Sequence, residues 1–271
     1  MPGDVAPRSE DVLEDVAYLS RSETRTRVLG VLAAAPHTPR ALADRTDIPR
    51  STLRRTLTEM VERGWVERSL DGEYVPTPTG EHVVAETERY LDAISAIRTL
   101  GDAVAWLPSD ELGIDLQHFS DATVRRPEPN AVSAPSTIAT ERLREATEFA
   151  CLVNTAPSLG FERVMVDGVV EGRLTTTHVI TDAELDVLRR DPDRAARWRT
   201  YVDAGADLYC HDGPIPCNLL VIDETVFVLD RQPEALEGIE CTNPAVRQWA
   251  IDLIDDHRDA AEQLDATAFD P

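Results

Sequence analysis

The sequence predicts an α+β chain in two unlike parts, a mostly helical N-terminal quarter and a C-terminal α/β part reached through one long helix. Three observations predict it. Between residues 21 and 80, short helical periodicities end in an alternating hairpin; from residue 106 onward, helical and extended segments take turns; and charge is segregated between the two. The 271 residues carry 50 acids against 27 basic residues, all of them Arg, for a formal charge of −23. From Arg21 to Arg68 there are 10 Arg and 6 acids, a local +4, which leaves −27 for the remainder.

An acid surface of this weight beside an ordinary apolar share of 42% points to a folded protein adapted to high salt, because a heavily charged surface stays hydrated when ions screen repulsion. Long periodic apolar segments argue against disorder. No apolar run approaches the ~20 residues that span a bilayer, and the start, "MPGDVAPRSEDVLEDV", has neither a basic n-region nor an apolar h-region. The expected compartment is the cytoplasm. Cys151, Cys210, Cys217 and Cys241 fit no CxxC spacing and read as reduced and buried. The C-H-x5-C order of Cys210, His211 and Cys217 matches no strong zinc pattern, so neither metal nor cofactor is expected.

Residues 1–20 read as a helical extension. "SETRTRVLGVLAAAP" follows as a helix, with Ser22 at its cap, Val28, Leu29 and Leu32 on one face, and Pro36 at its end. "TPRALADRTD" is a short second helix, with Thr38 as cap, Pro39 at the first position and Leu42 facing in. In "IPRSTLRRTLTEMVERG" the apolar face is Leu53, Leu57, Met60 and Val61, and Gly64 is the stop. "WVERSLDGEYVPTP" is a hairpin turned at Asp71-Gly72. Helix, short turn, basic helix and hairpin together make residues 21–80 a winged helix-turn-helix.

The polar face of the third helix carries Arg50, Ser51, Thr52, Arg54, Arg55 and Thr58 at the end that meets base edges and phosphates in a major groove. Arg40 flanks it, and Arg68 on the wing falls near the adjacent backbone. Arg pairs bidentately with guanine or phosphate, and Ser and Thr bond either. A charged helix face is usually no more than a solvated one; here it sits in a locally basic segment of an acidic chain, and a polyanion would be repelled by almost everything else. The expected partner is a double-stranded DNA operator.

This stretch resembles the winged helix-turn-helix of ArsR-like archaeal transcription regulators from about Leu19 to Val84. "LSRSETRTRVLGVLA", "IPRSTLRRTLTEMVERGWVER" and "YVPTPTGEHV" carry the likeness. The last is similar to the family's Y-x-L-T-x-x-G ending, with Pro76 in place of the usual Leu.

Residues 81–105 read as a linker helix. Val83, Thr87, Tyr90, Ile94 and Ile97 recur at steps of four and three, the spacing of a helix–helix seam. One reading is an amphipathic helix packed on its own domain. The favoured one is a dimer contact, because two-fold operators need paired recognition helices.

Residues 106–271 read as an α/β ligand-sensing domain. "DATVRRPEPNAVSAPS" is a strand and then a loop, and "STIATERLREA" is a helix capped by Ser136 or Thr137. "FACLVN" is extended, "SLGFERVMVDGVVEG" helical and "RLTTTHVIT" a strand. "DAELDVLRRDPDRAARWRTYVDAG" is one helix or two broken at Pro192. "ADLYCHD" is a strand, "NLLVIDETVFVLD" two strands about Asp223-Glu224, and "NPAVRQWAIDLIDDHRDAAEQL" the last helix. Such alternation argues a partly parallel sheet.

From "DLQHFSDATV" through "ADLYCHDGPIPCNLLVIDETVFVLD" to "NPAVRQWAIDLIDDHRDAA", this layout resembles the sensor domain of methanogenesis-regulator-type transcription factors, itself similar to phospholipase D-like domains. Active members of the latter carry H-x-K-x4-D; here Pro216 and Asn218 stand at the His and Lys positions before Asp223. Proline offers no nucleophile and Asn no charge, so the resemblance implies ligand binding rather than hydrolysis. Polar residues beside the strands are Arg125, Arg126, Asn154, Thr155, Arg173, Thr175, Thr177, His178, His211 and Asn218, and α/β domains bind ligands at strand ends. Arg173, His178, His211 and Asn218 are the effector candidates, and a basic group in an acidic domain suits an anionic metabolite. Altogether the sequence reads as a dimeric, effector-responsive, non-enzymatic transcription regulator. A winged helix that docks a protein instead of DNA is the alternative from another class.

Overall fold

The apolar spacing of residues 22–61 produces the helices it predicts. The computed structural model describes residues 10–108, 113–126, 134–229 and 237–270. The chain divides inside its long helix into two units, Met1–Leu91 and Asp92–Pro271.

Unit 1 runs α1 (Glu10–Ser20), α2 (Glu23–Ala34), α3 (Pro39–Thr46), α4 (Arg50–Glu62), β1 (Val66–Arg68), β2 (Tyr74–Pro76) and the first turns of α5 (Pro78–Leu100). Thr38 Oγ1 accepts from Ala41 N at 3.3 Å and Pro39 opens α3, as its sequence implies. Ser22 holds the cap position of α2 but makes no side-chain cap bond; its carbonyl alone takes the Arg25 N–H. Asp47 turns the chain between α3 and α4 in the left-handed region (φ 55). α4 ends at Gly64 (φ 70), where Trp65 N returns to Met60 O at 3.0 Å, a glycine-closed C-terminus.

The core of unit 1 joins Val28, Leu29 and Leu32 to Leu42, Leu53, Leu57, Met60, Trp65 and Val84. Val61 departs from the expected apolar face and is 44% exposed. It stands one step around the helix from Met60, outside the stripe that Leu53, Leu57 and Met60 already fill. The 1–20 extension is part of this unit over its described residues. The Tyr18 ring lies between two guanidinia, Arg25 at 3.9 Å and Arg63 at 4.0 Å, and meets Trp65 edge-on at 5.8 Å. Burial and the nearby Glu59 push the Tyr18 hydroxyl up to about 12.

The "PTG" of residues 78–80 has a local reason. Thr77 N donates to Trp65 O at 2.9 Å, and Thr77 Oγ1 donates to Gly64 O at 2.6 Å and accepts from Gly80 N at 3.1 Å. A Cβ on Gly80 would lie 1.9 Å from Trp65 O, so only glycine lets α5 start this close to the hairpin.

Unit 2 is built on an eight-stranded sheet of order β10-β6-β5-β4-β7-β8-β9-β3. Its strands are β3 (Thr123–Arg125), β4 (Glu148–Val153), β5 (Thr175–Thr181), β6 (Asp207–His211), β7 (Asn218–Ile222), β8 (Thr225–Leu229), β9 (Gly238–Cys241) and β10 (Glu262–Gln263). β4, β5 and β6 are parallel and the other pairs antiparallel. One face packs under α6 (Ala134–Glu145), α7 (Leu159–Val170), α8 (Asp182–Arg190) and α9 (Pro192–Asp203), and the other under α10 (Pro244–Asp259). Phe149, Cys151 and Val153 face the first layer while Leu152 faces the second, the period-two alternation of a sheet covered on both sides.

Pro192 does break the helix it interrupts: Asp191 caps α9 by accepting from Asp193 N and Arg194 N at 3.0 and 3.3 Å. Ser136 and Thr137 are not caps, because α6 already runs from Ala134 and places both inside its first turn. The loop read in "PEPNAVS", residues 127–133, lies outside the described residues.

Candidate nucleic-acid interface

α3 brings Arg40, α4 brings Arg50 and Arg54, and β1 brings Arg68 to one groove of about 390 Å3, whose remaining wall is Pro39, Leu53, Leu57 and Tyr74. The hairpin is pinned beside α3 by paired backbone bonds, His37 N to Tyr74 O at 3.2 Å and Tyr74 N to His37 O at 2.8 Å. Leu53 and Leu57 anchor α4 to the core through one face and leave the arginines on the other. Among the described residues, none of the four guanidinia has a carboxylate within ion-pair distance.

The other residues singled out on this face stand differently. Ser51 is exposed and Thr52 half-buried, and neither lines the groove. Thr58 donates its hydroxyl to Arg54 O at 3.0 Å. Arg55, though exposed, leans on Glu59 one turn along at 3.7 Å, and Arg25 reaches the same carboxylate at 3.6 Å. The structure thus separates a converging set, Arg40, Arg50, Arg54 and Arg68, from a neighbouring set that does not converge with it. The wing also carries Glu67, Asp71 and Glu73 around an exposed Leu70, so Arg68 is its single cationic side chain.

On α5, Tyr90, Ile94 and Ile97 are exposed at 56%, 39% and 42%. Val83 packs partly against the core of unit 1, and Thr87 lines a shallow groove with Leu19 and Leu29 and donates to Val83 O at 2.6 Å. The first two positions of the seam therefore serve their own unit, and the later three face outward.

In unit 2 the effector candidates do not converge. Arg173 donates to Leu143 O at 3.2 Å and Ala146 O at 2.5 Å, satisfying carbonyls at and just beyond the end of α6. Arg125 pairs with Glu240 at 2.7 Å, and Arg126 with Asp102 and with Glu237. Asn218 is buried and accepts from Asn154 N at 2.8 Å. His211 takes the Gly213 N–H on Nδ1 at 3.0 Å and lies 5.1 Å from the His257 ring. Thr175 and Thr177 line a shallow groove with Asp223 and Arg247 at the opposite end of the strands. His178 is 2% exposed, enclosed by Phe149, Trp198 and Tyr201, and burial lowers it from 6.5 to about 3. Arg125, Arg126 and Arg173 are thus each engaged by protein oxygens. Among the described residues no three His, Cys, Asp or Glu side chains gather as a metal site, and no helix is long and apolar enough to cross a membrane.

Three solved structures overlap the chain at low identity. TrmBL2, an archaeal chromatin protein described as showing a novel mode of DNA binding, is 17% identical, with 94% of this chain and 100% of that one covered and a TM-score of 0.43. The riboflavin-analogue dimethyltransferase RosA from Streptomyces davawensis is 15% identical over 74% of this chain and 78% of its own, with a TM-score of 0.26. The O-methyltransferase NcsB1 of neocarzinostatin biosynthesis is 15% identical over 76% and 82%, with a TM-score of 0.28. Overlaps this slight establish no shared fold. No curated protein matches the sequence. Two family models do: residues 13–99 match the HVO_A0261 N-terminal domain, and residues 132–260, the larger part of unit 2, match the middle domain of the methanogenesis regulatory protein FilR1.

Proposed function

We propose that the chain is a sequence-specific, dimeric transcription regulator that binds double-stranded operator DNA through unit 1 and responds to a small effector through unit 2. The single observation that carries the reading is the groove of four unpaired arginines. In a chain with nearly two acids for every basic residue, guanidinia left without carboxylates and gathered between a recognition helix and a wing suit a polyanion. On this reading Arg50 and Arg54 meet guanine edges and phosphates of a major groove, and Arg40 and Arg68 meet the flanking backbone. The regulator-type match of residues 132–260 supports the same reading.

The dimer rests on α5. Tyr90, Ile94 and Ile97 keep their apolar surface outward, and a second copy of the same helix is the partner whose seam would match it. α1 adds a parallel case, with Val12, Leu13 and Val16 exposed at 48%, 56% and 50%.

The test is selection of duplexes from a random library by the purified full chain in molar KCl, where the −27 remainder is screened. Recovery of a two-fold motif supports both specificity and dimerisation. Recovery without sequence enrichment would leave a non-specific binder, and no recovery would move the assignment to a protein-docking winged helix.

A further inference from the structure

The tip of the wing leaves an apolar side chain wholly to solvent. Leu70 is 107% exposed, whereas Leu13 and Tyr90, the next of the large apolar residues among those described, are 56% exposed. The turn that presents it is tightly bonded: Ser69 N donates to Glu73 O at 2.7 Å, Gly72 N to Ser69 O at 3.1 Å and Glu73 N to Ser69 Oγ at 3.3 Å. Gly72 closes it in the left-handed region (φ 84). Leu70 and Asp71 are thus the two central residues of a β-turn, positions where Asp, Asn, Pro, Ser and Gly serve the backbone and leucine does not.

A single exposed leucine is commonplace on a protein surface; this one stands beside the groove of arginines. Arg68, two residues before it, lines that groove, and a Cβ on Gly72 would lie 3.4 Å from Arg68 Nη2, so the guanidinium lies against the tip turn. The pairing also sorts the charges of the hairpin. Arg68 is opposite Tyr74 and Glu67 opposite Val75, and the bond from Ser69 to Glu73 continues the ladder. Alternation therefore puts Arg68 and Tyr74 on the groove face and Glu67 and Glu73 on the other.

We propose that Leu70 is a wedge for the minor groove of duplex DNA, entered beside the major groove that α4 occupies. This rests on the DNA-binding reading and adds to it a contact of a different chemistry. The phosphate backbone that borders the major groove borders the minor groove on its other side, so a wing whose arginine meets that backbone carries its tip to the minor groove. Two residues of chain span at most about 7 Å, against a minor groove about 6 Å wide. An isobutyl group placed there enters between base steps, partly unstacks them and bends the duplex, most readily at a flexible TA or CA step. Leu70 thereby biases the choice of operator at base pairs that no arginine touches.

Salt separates this contact from those of the arginines. Each phosphate contact weakens as salt rises, because release of the counterions it displaces is then worth less, while burial of an apolar group is not screened. Asp71 shares the tip and opposes phosphates in dilute buffer; at molar salt the screening length falls to about 3 Å and that opposition fades. The wedge therefore carries a growing share of the affinity as salt is raised.

The test uses the full chain and the duplex most enriched in the random-library selection, about 30 base pairs long and labelled at both ends. Affinity is read by anisotropy and bending by energy transfer between the ends, from about 0.2 to 2 M KCl. Wild type is expected to bind and to bring the ends together. Leu70→Asn, polar, of similar size and suited to the turn, is expected to bind about tenfold more weakly at every salt and to leave the duplex straighter. Leu70→Met should keep both properties. Arg68→Ala should instead lower the salt slope by about one and lose less affinity as salt rises. Because Leu70 is wholly exposed, its variants should melt at the wild-type Tm, so a weaker complex is not a folding defect. Wild type that binds, with Leu70→Asn equal to it in affinity and bend, would overturn the wedge, leave the DNA-binding reading standing and turn the tip toward a protein partner. Wild type that binds no duplex would overturn both.

Discussion

Both units gather arginines, unit 2 around buried carboxylates and unit 1 around a groove that has none. In unit 2, Glu162 is fully buried and holds Arg194 and Arg197 at 2.7 and 2.6 Å, and Glu240, 6% exposed, holds Arg125 and Arg142. Arg247 is shared between Glu148 and Glu224 at 3.3 and 3.8 Å. In unit 1, Arg40, Arg50, Arg54 and Arg68 face one groove with no such partner. The contrast is one of arrangement: in unit 2 a buried carboxylate gathers two guanidinia, and in unit 1 four guanidinia gather without one. Arginines without a carboxylate partner occur in both units, and what sets unit 1 apart is that four of them converge on one groove.

The comparison can first be sharpened at its structural pole. Replacing Glu162 by Ala strands two guanidinia beside an empty buried site, and the expected loss is about 3 kcal/mol, read by guanidinium denaturation of the full chain. DNA affinity of the folded fraction should not change. In unit 1 the next largest effect falls on the frame that carries the four arginines. Gly80→Ala drives a Cβ against Trp65 O and should cost about 2 kcal/mol, read as a lower melting transition. Because the lesion is steric, Gly80→Ser should be no better.

A smaller, pH-dependent effect lies in unit 2. The folded His178 is lowered to about 3 from 6.5, so below pH 6.5 the unfolded chain takes up a proton that the folded chain refuses. The stability this neutral histidine permits is complete above that value and is lost as pH falls toward 3, at up to about 1.4 kcal/mol per pH unit. His178→Phe should flatten that part of a denaturation-versus-pH profile. Smallest is Arg55→Ala, which removes an exposed i,i+4 pair with Glu59 and should change stability by only about 0.3 kcal/mol. A larger loss would mean that pairing does not divide α4 as described.

Much of the fold was legible because its signals are local. Thr38-Pro39 opening α3, Gly64 closing α4, Asp71-Gly72 turning the hairpin and Asp191-Pro192 parting α8 from α9 are each written within a few residues. Features that depend on distant partners were not. Tyr18 reads as one aromatic residue in an acidic helix, and its place between Arg25 and Arg63 exists only in three dimensions. Glu162 and Glu184 look like solvated helix charges until the sheet buries them. Arg173 looks like a free cation, yet the carbonyls it serves lie 27 and 30 positions earlier. The arginines of α4 could be named from sequence, but their division could not, because Glu59 lies four residues from Arg55 and five from Arg54. Helix geometry puts the first pair on one face and the second apart.

The most direct test of the central claim is genome-wide DNA occupancy in the source organism, comparing wild type, Arg50→Ala/Arg54→Ala and Arg55→Ala at matched protein levels. Discrete two-fold sites are expected for wild type, with their loss in the double variant and their retention in Arg55→Ala. Equal occupancy in wild type and the double variant would contradict it, and would show that the unpaired arginines of the groove are not what holds this protein to DNA.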